Sequence, residues 1–109
     1  MARKEPPAIS PIMQRLRNEL DRRGVPWRDK SCEFAQEHLT HHVEKTWFKD
    51  RDGVQVAVTW GWQERCGERQ GVSLGYPGKL ECWYKPDSPT ARVMTVEEVI
   101  SLCLEGGSL

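Results

Sequence analysis

Hydrophobic and polar positions alternate through the middle of the chain, and the alternation predicts an antiparallel sheet. From Val54 to Trp62 every second residue is a valine or a tryptophan, while Gln, Ala, Thr and Gly occupy the positions between them. A period of two is typical of a strand with one buried face. β-Branched and aromatic residues are also frequent over residues 41–48, and Asp-Gly at 52–53 supplies a turn. The pattern predicts a hairpin over residues 41–62.

Two segments with helical spacing flank this hairpin. Ser10-Pro11 reads as an N-cap followed by proline at the first helical position, and apolar residues then recur every three or four positions as far as Gly24. Near the C-terminus, Thr95-Val-Glu-Glu98 is a capping box that opens a second apolar stripe. We predict one helix over residues 11–23 and another from residue 95 to the glycines at 106–107.

These elements predict an α+β fold in which a three- or four-stranded antiparallel sheet carries an N-terminal and a C-terminal helix packed on one face. With 109 residues, the chain has the size of a single domain over residues 1–109. The remaining expectations are a loose arm over 1–9, an extended segment at 25–27 that brings Trp27 onto the core, irregular structure over 31–40, a polar loop over 63–71, a strand over 80–84 and a loop over 85–90.

Composition and charge narrow the class of protein. The chain is 38% hydrophobic and 29% charged, which favours a folded soluble domain. No apolar run reaches the roughly 20 residues of a membrane span, and the N-terminus lacks the apolar segment of a secretory signal, so we expect a cytoplasmic protein without a membrane partner. The formal net charge is zero, although residues 1–30 hold eight Lys or Arg against four Asp or Glu. So small a basic excess does not favour nucleic acid as a partner.

Three kinds of chemistry stay open as alternatives, although no motif selects any of them. A zinc site would draw on His38, His41 and His42 with nearby cysteines, but the spacing matches no established site. A hydrolase would pair Cys66 with a histidine, although no catalytic sequence motif accompanies Cys66. A DNA-associated regulator would use the arginines of the first helix, which are Arg15, Arg17, Arg22 and Arg23. We therefore predict a non-enzymatic protein with no catalytic residue, no metal site and no cofactor.

The remaining cysteines and aromatic residues divide between core and surface. Cys82 and Cys103 lie in phase with apolar neighbours and are expected to be buried, whereas Cys32 and Cys66 are ambiguous. Trp60 is in phase with the buried valines. Aromatic rings beside basic side chains suit either stacking on a base or anchoring a protein partner. The predicted binding surface, on the rim of the sheet and the loop that follows it, comprises Trp62, Arg65, Arg69, Tyr76, Lys79 and Trp83.

Several segments resemble small, uncharacterised proteins encoded by phages and prophages of Gram-positive bacteria. The resemblance spans residues 16–104. The segments that carry it are Gly24-Val-Pro-Trp-Arg-Asp-x-Ser31, Glu44-x-Thr46, Ser73-Leu-Gly-Tyr76 with Leu80-Glu81, and Met94-Thr-Val-Glu-Glu-Val99. This chain departs from the family pattern at Thr59-Trp-Gly-Trp62, where small or aliphatic residues are usual. The resemblance implies an accessory protein, and it supplies no catalytic residues.

Together these observations lead to one expected function and its rivals. We expect a phage or mobile-element accessory protein of the anti-defence type, an inhibitor that binds and blocks a host protein factor. The alternatives are a protein that sequesters a small nucleotide and a Cys- or metal-dependent hydrolase. A homodimer would be one way to cover the edges of so short a sheet.

Overall fold

The computed structural model describes residues 9–36, 39–65, 68–71, 79–84 and 91–106, and it describes the backbone alone at 34, 36, 39, 62–65 and 68–71. Among these residues it has two helices and seven strands. In chain order they are α1 (Pro11–Arg22), β1 (Trp27–Asp29), β2 (Cys32–Gln36), β3 (Leu39–Lys49), β4 (Gln55–Arg65), β5 (Glu68–Gly71), β6 (Leu80–Trp83), β7 (Arg92–Met94) and α2 (Val96–Leu104). The expected α+β class, with an antiparallel sheet and two terminal helices, is confirmed, but the sheet has more strands than expected.

The hairpin of β3 and β4 forms the centre of the sheet, and all pairings are antiparallel. β1 and β2 both pair with the outer edge of β3 and keep one continuous register, from Trp27 opposite Phe48 to Gln36 opposite Leu39. On its other edge, β4 pairs with β6 near the hairpin turn and with β5 farther along. β7 then pairs with β6. The sheet is therefore five strands wide at its helix-covered end.

Two sequence-based expectations about the sheet were wrong, and one strand was not predicted. The segment 31–40, expected to be irregular, contains β2 and the start of β3. The expected polar loop over 63–71 is the end of β4 and all of β5, and the three-residue strand β7 was not foreseen. In each case backbone pairing with a neighbouring strand provides the stabilisation, so the strand forms without a visible period of two in its own side chains.

One face of the sheet packs against both helices and forms the core. Val56 and Val58 are fully buried, as the alternation predicted, and Leu16 and Val99 contribute fully buried side chains from the helices. Trp27 packs against this cluster as expected, and Trp60 also lies at its border. The other core members are Met13, Leu20, Phe48, Leu80, Cys82, Met94, Val96, Ile100 and Cys103.

The two helices run parallel to each other across this face. Arg15 of α1 forms an ion pair with Glu97 at the start of α2, and Arg23 forms one with Glu105 just past its end, at 2.7 Å. Both predicted N-caps are confirmed, because the Ser10 hydroxyl accepts from the Met13 amide and Thr95 forms the capping box with Glu98. The predicted stop at Gly24 is also confirmed, with φ of 70°.

The turn between β3 and β4 is organised by one buried carboxylate. Asp50 is 6% exposed, and its Oδ1 accepts hydrogen bonds from the amides of Asp52 and Val54 at 2.8 and 2.7 Å. The Tyr84 hydroxyl donates to the other oxygen. Burial alone would raise the pKa of Asp50, but these hydrogen bonds outweigh it and lower the pKa. Gly53, with φ of 81°, supplies the left-handed residue that the turn requires.

Two further expectations concern segments that lie wholly or mostly outside the described residues. Residues 1–8 of the expected arm lie outside the described residues, and Ile9 packs against the core. The expected loop over 85–90 also lies outside them. Within the described ranges, no helix has both the length and the apolar composition needed to cross a membrane.

Candidate functional site

The side of the sheet opposite the core carries tryptophan and basic side chains close together. Odd-numbered positions of β3, β4 and β6 face this side, because the core takes the even ones. Neither α1 nor α2 packs on it, since the buried residues of both helices cluster with the even-numbered strand positions. We call this side the helix-free face. Its described members on the strands at the helix-covered end are Arg28, Lys45, Trp47, Lys49, Gln55, Ala57, Thr59, Glu81, Trp83 and Val93, and Lys30 joins them between β1 and β2.

Two tryptophans flank a small residue at the centre of this face. Trp47 lies directly opposite Ala57, and Ala57 lies directly opposite Trp83 on the next strand. Both tryptophans are partly buried, and Ala57 between them is 4% exposed. Two strand spacings separate the tryptophan backbones by about 10 Å. We call Trp47, Ala57 and Trp83 the tryptophan row.

Four basic residues surround Trp47, and we call them the cation border. Arg28 lies directly opposite Trp47 on β1, and Lys45 and Lys49 lie two residues to either side of it on β3. Lys30 completes the border, because its ammonium nitrogen lies 5.2 Å from the centre of the Trp47 ring. That distance is within the range of a cation–π interaction. Arg28, Lys30 and Lys49 are exposed, while Lys45 is partly buried.

Among the residues that the structure describes, no carboxylate pairs with the cation border. No hydrogen bond or ion pair joins the side chains of Arg28, Lys45 or Lys49 to any other residue that the structure describes. Glu81, two strands from Lys45 across Thr59, is the one acidic side chain described on this face. Burial raises the pKa of Glu81, so its negative charge is disfavoured where it lies. A neutral chain therefore presents a locally positive face around an aromatic ring.

Trp47 also has an unusual polar environment. Its indole Nε1 is the one buried side-chain nitrogen or oxygen of the described residues that has no hydrogen-bond partner. An unpaired buried donor typically costs about 1–3 kcal/mol. Native structures keep few such groups, and departures of this kind are expected where a residue is held for its function rather than for stability.

The sequence-predicted surface is only partly described. Trp83 lies in the tryptophan row, and Lys79 is partly buried just before β6. The pKa of Glu98 is lowered by its hydrogen bonds with Thr95 and further by the charge of Lys79, so Lys79 lies towards the start of α2. Of Trp62, Arg65 and Arg69, only the backbone is described, and Tyr76 lies outside the described residues.

The strand register divides that predicted surface. Position 62 is opposite His42 and Gly71, in the same alternation as the core valines, whereas position 65 shares the alternation of Ala57. Position 69 lies opposite position 64 and therefore belongs with position 62. A single surface that includes all six residues stays a prediction. Sequence reasoning associated Trp83 with this rim, and the structure places it in the tryptophan row, across β4 from Trp47.

The arginines of α1 have structural roles. Arg17 is 7% exposed, and its guanidinium donates to the Thr46 hydroxyl at 2.7 Å and lies 4.5 Å from the Trp27 ring. Arg22 pairs with Glu19, at 2.7 Å, and these contacts lower the pKa of Glu19 to about 2. Arg15 and Arg23 hold α2, as described above. All four therefore have partners within the molecule.

Those residues considered for metal or thiol chemistry that the structure describes do not converge. No group of three or more His, Cys, Asp or Glu with the arrangement of a metal site occurs among the described residues. His42 Nδ1 lies 3.0 Å from Glu33 Oε2, while His41 belongs to the opposite face. Cys82 and Cys103 are 2% and 1% exposed, which confirms that they are buried. Their mutual hydrogen bond, together with burial, raises the pKa of Cys103. Cys66 and His38 lie outside the described residues.

Sequence reasoning did not single out Trp47 or the cation border. Trp47 and Phe48 are adjacent, and sequence alone does not say which of the two faces the core. The signal that could have found the site is the alternation of Lys45, Trp47 and Lys49, which share one face of any strand. Arg28 and Lys30 could not have been added, because their pairing with β3 depends on the register of the edge strand.

Comparisons with known protein families, with curated proteins and with solved structures found no match to this chain. The functional argument therefore depends on the geometry of the helix-free face.

Proposed function

We propose that this is a non-enzymatic binding protein that captures a nucleotide-type ligand, one with both a base and a phosphate, on its helix-free face. The observation that carries the proposal is the position of Trp47 inside a border of four cations. An indole ring offers a surface on which any base can stack, and Lys and Arg hold phosphate oxygens through charge-assisted hydrogen bonds. Sequestering of nucleotides was the alternative to host-factor binding in the sequence analysis.

In this proposal Lys30 has two roles. Its ammonium nitrogen lies 5.2 Å from the centre of the Trp47 ring, in a cation–π contact. A base that stacks on the same ring displaces the ammonium group, which then becomes available to a phosphate of the ligand. The exchange replaces one cation–π contact by a stacked base and an ion pair.

The experiment that tests this proposal uses two matched arginine variants. Arg28→Gln removes a cation from the border, while Arg22→Gln makes the same change at an exposed arginine on the helix side. Binding is measured by fluorescence anisotropy with a labelled 12-nucleotide oligothymidylate and by equilibrium dialysis with radiolabelled ATP. We expect binding of at least one probe to weaken about 5- to 10-fold in Arg28→Gln and to stay unchanged in Arg22→Gln.

Two outcomes would count against nucleotide capture. Neither probe binding to the folded wild-type protein at micromolar concentration would remove the proposal. Equal weakening by both arginine variants would mean that net charge, rather than the cation border, governs binding. Circular dichroism of each variant establishes that the fold is retained.

A second candidate is the anti-defence inhibitor that blocks a host protein, as the phage resemblance implies. The observation that favours it is Val93 on β7, an apolar side chain that is 37% exposed and lies opposite Glu81, two residues from Trp83 along β6. Aromatic residues are enriched at the centres of protein interfaces. Capture of one host protein that Val93→Asp abolishes and that Arg28→Gln leaves intact would support this candidate over nucleotide binding.

A further inference from the structure

We infer that the ligand is a single-stranded nucleic acid, bound across the tryptophan row, rather than a mononucleotide. This inference deepens the proposed function and depends on it. The ligand class follows from three features of the helix-free face, which are two separate rings, an extended border of cations and a small residue between the rings.

The two rings are too far apart to serve one base. Trp47 and Trp83 are separated by the whole width of β4, about 10 Å between backbones. A single nucleobase stacked on one ring leaves the other without a partner, whereas a chain of nucleotides can place one base on each. Proteins that bind single strands combine such aromatic platforms with a positive groove that follows the backbone.

The cations are arranged along a line rather than around a point. Lys45 and Lys49 are four residues apart on β3, so their backbones are about 13 Å apart. Arg28 lies beside Trp47 on the neighbouring strand, between the levels of these two lysines. This line follows β3, at right angles to the tryptophan row, so it holds the phosphates of the nucleotides next to Trp47, whereas one phosphate group needs cations that converge.

Ala57 is the small residue between the two rings. It is directly opposite both tryptophans and 4% exposed, so its methyl group does not project beyond them. A strand bound across β4 then contacts the rings rather than this methyl group. A bulky residue at this position would separate the two stacking surfaces, which makes Ala57→Leu a steric test that removes no charge and no ring.

The test is a length series of oligothymidylates with one, three, six and twelve nucleotides, measured against wild-type protein by competition with the labelled 12-mer. We expect affinity to rise at least 10-fold from the mononucleotide to the hexamer, because both rings and several cations are then engaged. A mononucleotide that binds as tightly as the hexamer would overturn this inference and leave the proposed function standing. If no member of the series binds and ATP does not bind either, both fail.

Two further arms separate stacking from charge. A 12-mer of abasic deoxyribose phosphates has the same charge without bases, and a blunt duplex has bases that are not available for stacking. We expect both to bind at least 10-fold more weakly than the single strand. Either one binding as tightly as the single strand would overturn the inference, because attraction by charge would then suffice.

Variants of the tryptophan row test where the nucleic-acid strand binds. Trp83→Ala should weaken the 12-mer about 5- to 100-fold, the range reported for loss of one stacked base, while Trp83→Phe should retain most of the affinity. Mononucleotide binding at Trp47 should be unchanged in Trp83→Ala. If Trp83→Ala fails to fold, Ala57→Leu provides the second measurement, and unchanged 12-mer binding in a folded Ala57→Leu would contradict the path across β4.

Discussion

Glu81 is the described residue of the helix-free face whose charge repels an anionic ligand. Its carboxylate lies beside Thr59 on the same face as the cation border, and burial raises its pKa. When Glu81 is ionised it repels phosphate, and when it is protonated that repulsion disappears. The raised pKa brings this transition closer to neutral pH than it is for an ordinary glutamate.

The first prediction concerns the pH dependence of binding. As the pH falls below about 7, wild-type protein should bind the labelled 12-mer more tightly, because its raised pKa lets Glu81 take up a proton at a higher pH than an ordinary glutamate does. Comparison with Glu81→Gln isolates the carboxylate.

Glu81→Gln should bind more tightly than wild type at pH 7, and the difference between the two proteins should shrink as the pH falls. Anisotropy titrations at four pH values measure both quantities. A difference that stays constant over the whole interval would show that Glu81 does not change charge on this face.

At the scale of elements, α1 is anchored to the sheet by its N-cap residue, Ser10. Ser10 is 1% exposed, and its amide and hydroxyl donate to the two oxygens of Glu44 at 2.8 and 2.5 Å. Glu44 is itself 7% exposed on β3. The same hydroxyl accepts from the Met13 amide at 3.3 Å. One side chain thus caps a helix, satisfies a buried carboxylate and fixes the helix over the strand.

The second prediction compares the two helix caps. Ser10→Ala removes the cap and leaves one oxygen of the buried Glu44 without its donor, so we expect a loss of roughly 2–4 kcal/mol in the free energy of unfolding. Thr95→Ala removes a cap of the same kind from α2 without exposing a buried carboxylate, and about 1 kcal/mol is expected. Urea denaturation of both variants provides the values. Equal losses would mean that Glu44 finds other partners when Ser10 is gone.

For the whole molecule, the distribution of charge matters more than its sum. The formal net charge is zero, yet the basic residues of α1 are paired with carboxylates or buried, while those of the cation border lack such partners among the described residues. The neutral chain therefore has a locally positive surface at the cation border. Long-range attraction of an anionic strand depends on this local field.

The third prediction is the salt dependence of strand binding. Four cations that each neutralise one phosphate should give a slope of roughly −2 to −3 in a plot of log K against log salt, at about −0.7 per phosphate for a single strand. Arg28→Gln should make the slope shallower by about 0.7, and Arg22→Gln should leave it unchanged. A slope near zero for the wild-type protein would exclude phosphate contacts by the border.

The helices and the central hairpin could be predicted from sequence because their signals are local. Ser10-Pro11, Gly24 and the capping box of Thr95 act within one helical turn, and they appear in the structure at the predicted positions. The alternation around Val56 and Val58 likewise records burial directly. β2, β5 and β7 carry no such record, since their stability comes from hydrogen bonds with another strand.

The amino-acid sequence by itself determined the fold class, the caps and which face of the β3–β4 hairpin is buried, because each depends on residues close together in the chain. Only the tertiary structure decided which residues share the helix-free face. Arg28, Trp47, Ala57 and Trp83 come from four strands, and the register of three strand pairs brings them into line. Register depends on the whole sheet, since a shift of one residue moves every side chain to the other face.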